Sequence, residues 1–164
     1  MKPAVVVLLA SLPAFAADVP PEWKDFGPML GRWEADPAPD GATGGFTLEP
    51  GAGGRVLVRT NRASYPGTKD RPATTHDDLM VVYRDGGAIK ADYWDSEGHV
   101  IRYGVAVDAG KSIVFASEGS GGPRFRLTYT FTGAATMKLT FEIAPPDHPD
   151  AWKTYIAAGV HRAR

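Results

Sequence analysis

Cysteine is absent from the 164 residues. That excludes disulfides, thiolate metal sites, cysteine nucleophiles and thiol-linked lipid anchors. Charge of one sign is not in excess either: 18 Lys and Arg stand against 19 Asp and Glu, a formal net charge of −1. Such a balance creates no strong field for nucleic acid or an acidic membrane surface. Beyond the first residues no run is long and apolar enough for a membrane helix. There is no nucleophile elbow, phosphate loop, dinucleotide fingerprint or zinc-protease helix. What the chain does have is turn-formers, 19 glycines and 14 prolines, within a composition that is 43% hydrophobic. That suits short elements around a single core, and the low charge argues against disorder.

The amino terminus is of a different kind. Lys2 precedes the apolar run Ala4-Val5-Val6-Val7-Leu8-Leu9-Ala10, and Ala14-Phe15-Ala16 closes it. This is the layout of a secretory signal peptide over residues 1–16, cleaved after Ala16. Residues 17–164 are then a single exported domain, periplasmic or secreted. Lacking disulfides, it relies on its core.

The mature part opens with an arm in which Trp23 and Phe26 are three residues apart, enough for one helical turn. Strand-like runs follow to the end: Arg32–Ala35, Gly45–Glu49, Arg55–Tyr65, His76–Arg84, Ala88–Asp95, His99–Val107, Ser112–Glu118, Arg124–Phe131, Met137–Ala144 and Tyr155–Arg162. Turn-formers such as Asp85-Gly86-Gly87, Ser96-Glu97-Gly98 and Asp108-Ala109-Gly110 separate them. Phe125, Leu127, Tyr129 and Phe131 alternate with polar residues, as do Met137, Leu139, Phe141 and Ile143. A period of two with one polar face predicts antiparallel strands with one side on a core. The short connections favour an all-β, antiparallel up-and-down barrel of about ten strands over a sandwich, because closure removes exposed edges. The long loop, Pro66–Thr75, is placed to act as a flap over one mouth. A helical turn is expected over Pro149–Tyr155.

Leu30-Gly31-Arg32-Trp33 before the first strand and Arg162 on the last resemble the lipocalin and wider calycin barrels. That resemblance implies that Trp33 closes one end and that Arg162 packs on its ring. Further runs, among them His76-Asp77-Asp78-Leu79-Met80 and Tyr93-Trp94-Asp95-Ser96-Glu97-Gly98-His99-Val100-Ile101, resemble small exported bacterial barrels of the lipocalin-like kind whose activity is not established. The Leu-Gly-x-Trp start is also similar to that of the haem-binding nitrobindin barrels. This second likeness implies His161 as an axial ligand; otherwise no cofactor is expected.

Chemistry-bearing residues concentrate in Tyr93–Tyr103. Tyr93, Asp95, His99 and Tyr103 share the mainly apolar parity of their strands, and the turn brings Asp95 near His99. A carboxylate that fixes an imidazole is a recurrent acid–base device; the alternative is a turn cap beside a rim histidine. His76 and Asp78 share one face of their strand, but two ligands do not complete a metal site and no metal is expected. Inward-facing Arg59 or Arg126 would need carboxylate partners, and Glu118 and Glu142 on adjacent strands are candidates; the alternative is an outer face of cross-strand pairs. Tyr93, Tyr103 and Tyr129 offer apolar walls with hydroxyl tips, suited to a partly hydrophobic small ligand. Two functions of different class follow. One is a binding barrel for such a small molecule, monomeric or homodimeric. The other is a cofactor-free acid–base enzyme built on His99, Asp95 and His76.

Overall fold

The protein is described from a computed structural model that covers residues 19–119 and 121–163. The expected leader, residues 1–16, lies outside the described residues. Ten antiparallel strands are β1 (Gly31–Ala35), β2 (Thr43–Gly51), β3 (Val56–Tyr65), β4 (Thr74–Asp85), β5 (Ala88–Asp95), β6 (Val100–Asp108), β7 (Ser112–Ser117), β8 (Arg124–Gly133), β9 (Thr136–Ala144) and β10 (Lys153–Arg162). Each pairs with its neighbours in sequence, and β1 pairs with β10, so the sheet closes on itself. This is an up-and-down barrel, consistent with a calycin-like fold. No helix among the described residues is long and apolar enough to cross a membrane.

Alternation sets inside from outside. On β8, Leu127 and Tyr129 are buried, while Arg126 and Thr128 between and beside them take the outward parity. On β4, Met80 and Val82 are buried and Leu79 is exposed. Antiparallel order also fixes the two ends. The connections before β2, β4, β6, β8 and β10 lie at one end, and those before β3, β5, β7 and β9 lie at the other with the chain's amino-terminal arm.

That arm closes its end. It forms a 3-10 helix, Pro21–Met29, longer than one turn. Proline at the first helical position presets φ and gives up an N–H that would have had no partner. With three residues per turn, Trp23, Phe26 and Met29 fall on one line, and all three are buried. Trp23 Nε1–H donates to the Gly54 carbonyl at 2.8 Å, and Trp33 Nε1–H donates to the Met29 carbonyl at 2.9 Å. Arg162 donates to the carbonyls of Leu30 and Pro28, satisfying the helix end, and its guanidinium lies 4.6 Å from the centroid of the Trp33 ring. Gly31 makes room for this. Its φ is +99°, and a Cβ there would stand 2.9 Å from Arg162 Nη1.

Two local expectations change. β4 begins at Thr74 rather than His76, because the β3 ladder continues through Ser64↔Thr75 and Tyr65↔Thr74. The long loop is thereby reduced to residues 66–73. Residues 145–152 form turns rather than a helical turn, and β10 starts at Lys153 with a bulge between Thr154 and Ile156. Prolines at 145, 146 and 149 each remove a donor that a helix would need.

Candidate functional site

The largest fully buried side chains, among them Trp33, Leu57, Met80, Tyr103, Ile113, Phe115 and Tyr129, fill the barrel from the helix to its middle. Towards the other end the inward residues are of two kinds. Ile101, Phe125, Leu139 and Phe141 are apolar and only half-buried, with the rings of Phe125 and Phe141 stacked at 6.1 Å. Opposite them β3, β4 and β5 contribute Arg59, Asn61, His76, Asp78, Tyr93 and Asp95. The result is a cup with a filled floor, an apolar wall and a polar wall.

The polar wall is one connected network. At its deep end Arg59 Nη1–H donates to Asp78 Oδ1 at 2.5 Å, and Asn61 Nδ2–H donates to Asp78 Oδ2 at 2.9 Å. The Arg59 and Asp78 side chains are 4% and 5% exposed, so this is a buried ion pair. Arg59 also lies over the Phe46 ring at 5.1 Å. Burial disfavours the guanidinium charge, but the neighbouring Tyr129 and the Asp78 carboxylate outweigh it and hold the arginine firmly protonated. Its Nε and the Tyr129 hydroxyl are buried without a hydrogen-bond partner.

Nearer the mouth the network runs through two histidines. His76 Nδ1 is 3.1 Å from Glu97 Oε1, and its Nε2 is 3.1 Å from the Tyr93 hydroxyl and 3.5 Å from Asp78 Oδ2. A carboxylate accepts only, so the contact with Glu97 favours a proton on Nδ1, and Nε2 is the nitrogen turned towards the Tyr93 hydroxyl. The Tyr93 hydroxyl also reaches Asp95 Oδ2 at 3.3 Å, and His99 Nδ1–H donates to that same oxygen at 2.8 Å. The backbone N–H groups of Glu97 and His99 donate to Asp95 Oδ1. Burial raises the Asp95 carboxyl pKa, but these bonds from His99 and Glu97 prevail and hold it below the usual carboxylate range. Burial pushes the phenols of Tyr93 and Tyr103 well above the normal tyrosine value, with Asp78 adding to the effect, so both are neutral donors near pH 7.

No family model matches the chain, and no curated protein matches it either.

Of the residues singled out from the sequence, the barrel brings Arg59, His76, Tyr93, Asp95, His99, Tyr103 and Tyr129 to the cup and its rim. It does not bring Arg126, Glu142 and Glu118 there. Arg126 and Glu142 are outward cross-strand partners, 2.7 Å apart, with the guanidinium over Trp152. Glu118 pairs with Lys90 instead. His161 falls between inward Val160 and Arg162, so it points outward, where Nδ1 is 2.8 Å from Asp36. An imidazole so placed does not fit a haem held inside the barrel. The partner that matters for Arg59 is Asp78. Asp78 lies one pleat from Met80, the residue that the strand register sets opposite Arg59. A concavity of about 930 Å³ runs along β1–β5, lined by outward Arg62, Leu79 and Trp94 together with Asn61, Asp78 and Asp95 of the polar wall.

Proposed function

We propose that the chain is an exported binding barrel that holds a small, partly hydrophobic molecule in its cup. The observation that carries this reading is the division of the interior. One end is filled to the axis by buried aromatic and aliphatic side chains, while inward apolar groups at the other end stay half-exposed beside a fixed polar wall. Apolar walls with a few placed polar groups are what small-molecule sites are made of. Export and membership of the small bacterial lipocalin-like barrels are the finer part of the proposal, supported by the leader-like residues 1–16 and the barrel topology.

The test is titration with the neutral fluorophore N-phenyl-1-naphthylamine. Saturable binding is expected, weakened at least tenfold in Ile101→Glu, which places a charge on the apolar wall while leaving the circular dichroism spectrum unchanged. Absence of saturable binding by the wild-type protein would end the binding reading. Export is checked separately: the full chain carrying a carboxy-terminal tag should appear in the periplasmic fraction with Ala17 as its first residue.

A further inference from the structure

We propose that the cup also performs proton transfer on carbon, with His76 as general base and Tyr93 as hydrogen-bond donor to a carbonyl oxygen. This rests on the cup being a ligand site, and adds a substrate class: small carbonyl compounds with an apolar body and an acidic α-hydrogen.

His76 is 23% exposed, enough to meet a molecule in the cup, yet both ring nitrogens are engaged. Glu97 fixes the ring from behind through Nδ1, which presents the Nε2 lone pair on the Tyr93 side. A carboxylate–imidazole pair is the standard way to orient a base and stabilise its protonated form. Tyr93 supplies the complementary function. Its single hydroxyl proton has two acceptors within reach, His76 Nε2 and Asp95 Oδ2, so it can turn to a third without leaving its place. Asp95 is anchored in turn by His99 and two backbone N–H groups. The chain Glu97–His76–Tyr93–Asp95–His99 thus starts and ends at the rim, where Glu97 is 62% and His99 57% exposed, and exchanges protons with solvent at both ends.

The spacing suits enolisation. In a ketone the carbonyl oxygen and the α-hydrogen are separated by two heavy-atom bonds and the hydrogen, so donor and base must be neighbours. The Tyr93 hydroxyl and His76 Nε2 are 3.1 Å apart. A carbonyl oxygen that accepts the Tyr93 O–H takes that proton's bond away from His76 and frees Nε2. Nε2 then takes the α-hydrogen as a proton. The C–H electron pair becomes the C=C bond, and the C=O π pair moves to oxygen, where Tyr93 donates to it. Return of a proton from the imidazolium to carbon, after exchange with water, regenerates the ketone. Return to a different carbon of a conjugated substrate gives an isomer. No oxidant, metal or co-reactant enters the balance.

The groups facing His76 are Glu97 from the turn after β5, Asp78 on its own strand, and Tyr93 and Asp95 on β5, with Arg59 behind Asp78 and His99 behind Asp95.

The experiment follows deuterium uptake at the α-carbons of phenylacetone in buffered D₂O by NMR, with N-phenyl-1-naphthylamine binding measured on the same samples. Wild-type protein should accelerate exchange over buffer. His76→Gln should lose about 100-fold or more of that acceleration, as general-base catalysis contributes, and Tyr93→Phe a comparable factor, while both still bind the fluorophore. Arg102→Ala, on the outer face, should change nothing. Fluorophore binding without accelerated exchange overturns the proton-transfer proposal and leaves the binding reading standing. Exchange that survives His76→Gln also overturns it. No fluorophore binding and no exchange defeats both readings.

Discussion

Replacing Asp78 by Asn removes one charge from a pair that has almost no solvent. Arg59 and Asp78 are 2.5 Å apart with side chains 4% and 5% exposed. Loss of one partner of such a pair costs about 3–5 kcal/mol, because the remaining charge has neither counter-ion nor water. The faces of Phe46 and Tyr129, 5.1 and 6.0 Å from the guanidinium, offset a part of this, on the order of 1 kcal/mol. A domain is stable by about 5–15 kcal/mol in total, so the net loss of about 2–4 kcal/mol in Asp78→Asn is a substantial part of it. At about 2–4 °C per kcal/mol for a chain of this size, the thermal midpoint should fall by roughly 4–16 °C. Urea unfolding followed by tryptophan fluorescence gives the free energy directly, provided the slope against denaturant is unchanged. The double variant Arg59→Met/Asp78→Leu should recover most of the loss, since an apolar pair of similar volume carries no desolvation penalty. A loss under about 1 kcal/mol in Asp78→Asn, the value of a surface pair, would refute the buried ion pair and with it the charged floor of the cup.

Gly31→Ala should destabilise by about 1–3 kcal/mol, the usual cost of forcing a side chain into a sparsely populated backbone region, because its φ is +99° and Arg162 occupies the space; chemical denaturation measures it. Asp95 has a depressed pKa when folded, so its contribution is complete above the unfolded value of about 4 and is lost as pH falls through the lower folded value. The gap in urea midpoint between wild type and Asp95→Asn should therefore narrow below that pH, and a gap that widens there contradicts the sign. Arg126→Ala breaks an outward pair in which the arginine's hydrogen bond lowers the Glu142 carboxyl. It should cost less than about 1 kcal/mol and leave fluorophore affinity unchanged, which isothermal titration checks.

The barrel was legible because its strands obey period two with few exceptions. Phe125, Leu127, Tyr129 and Phe131 declare one face of β8 whatever lies around them, and turn-formers punctuate nearly every connection. Closure was legible by elimination, since ten antiparallel strands with short links leave two edges that pair most economically with one another. The arm was harder to read. Its repeat, Trp23, Phe26 and Met29, has a period of three rather than 3.6, and what sustains it comes from elsewhere in the chain: Arg84 donates to the Glu22 carbonyl, and Arg162, at the far end, binds the last carbonyls. Contacts between residues more than 130 positions apart leave no trace in local pattern.

The same limit explains the site. Sequence spacing shows that Asp95 and His99 flank a turn, and the hydrogen bond between them follows from hairpin geometry alone. It does not show how far Arg59 is from Asp78, Glu118 or Glu142, because partner choice depends on strand register and parity together. Parity sends Arg126, Glu118 and Glu142 outward, where water screens them: Arg126 and Glu142 pair across β8 and β9, and Glu118 reaches over Gly104 of β6 to Lys90 on β5. Register then sets Asn61 opposite Asp78, and Asp78 opposite Asp95, which would place two carboxylates side by side in the wall. The wall holds them because each is met by a cation or donor of its own: Arg59 and Asn61 for Asp78, His99 and two backbone N–H groups for Asp95. His76 and Tyr93 stand between the two carboxylates and touch both sides. A barrel that needed only stability would fill this end with aliphatic side chains as it fills the other. A wall of two carboxylates, two histidines and an arginine, kept in place by mutual compensation, is what a cavity requires when the molecule it receives must be oriented or deprotonated.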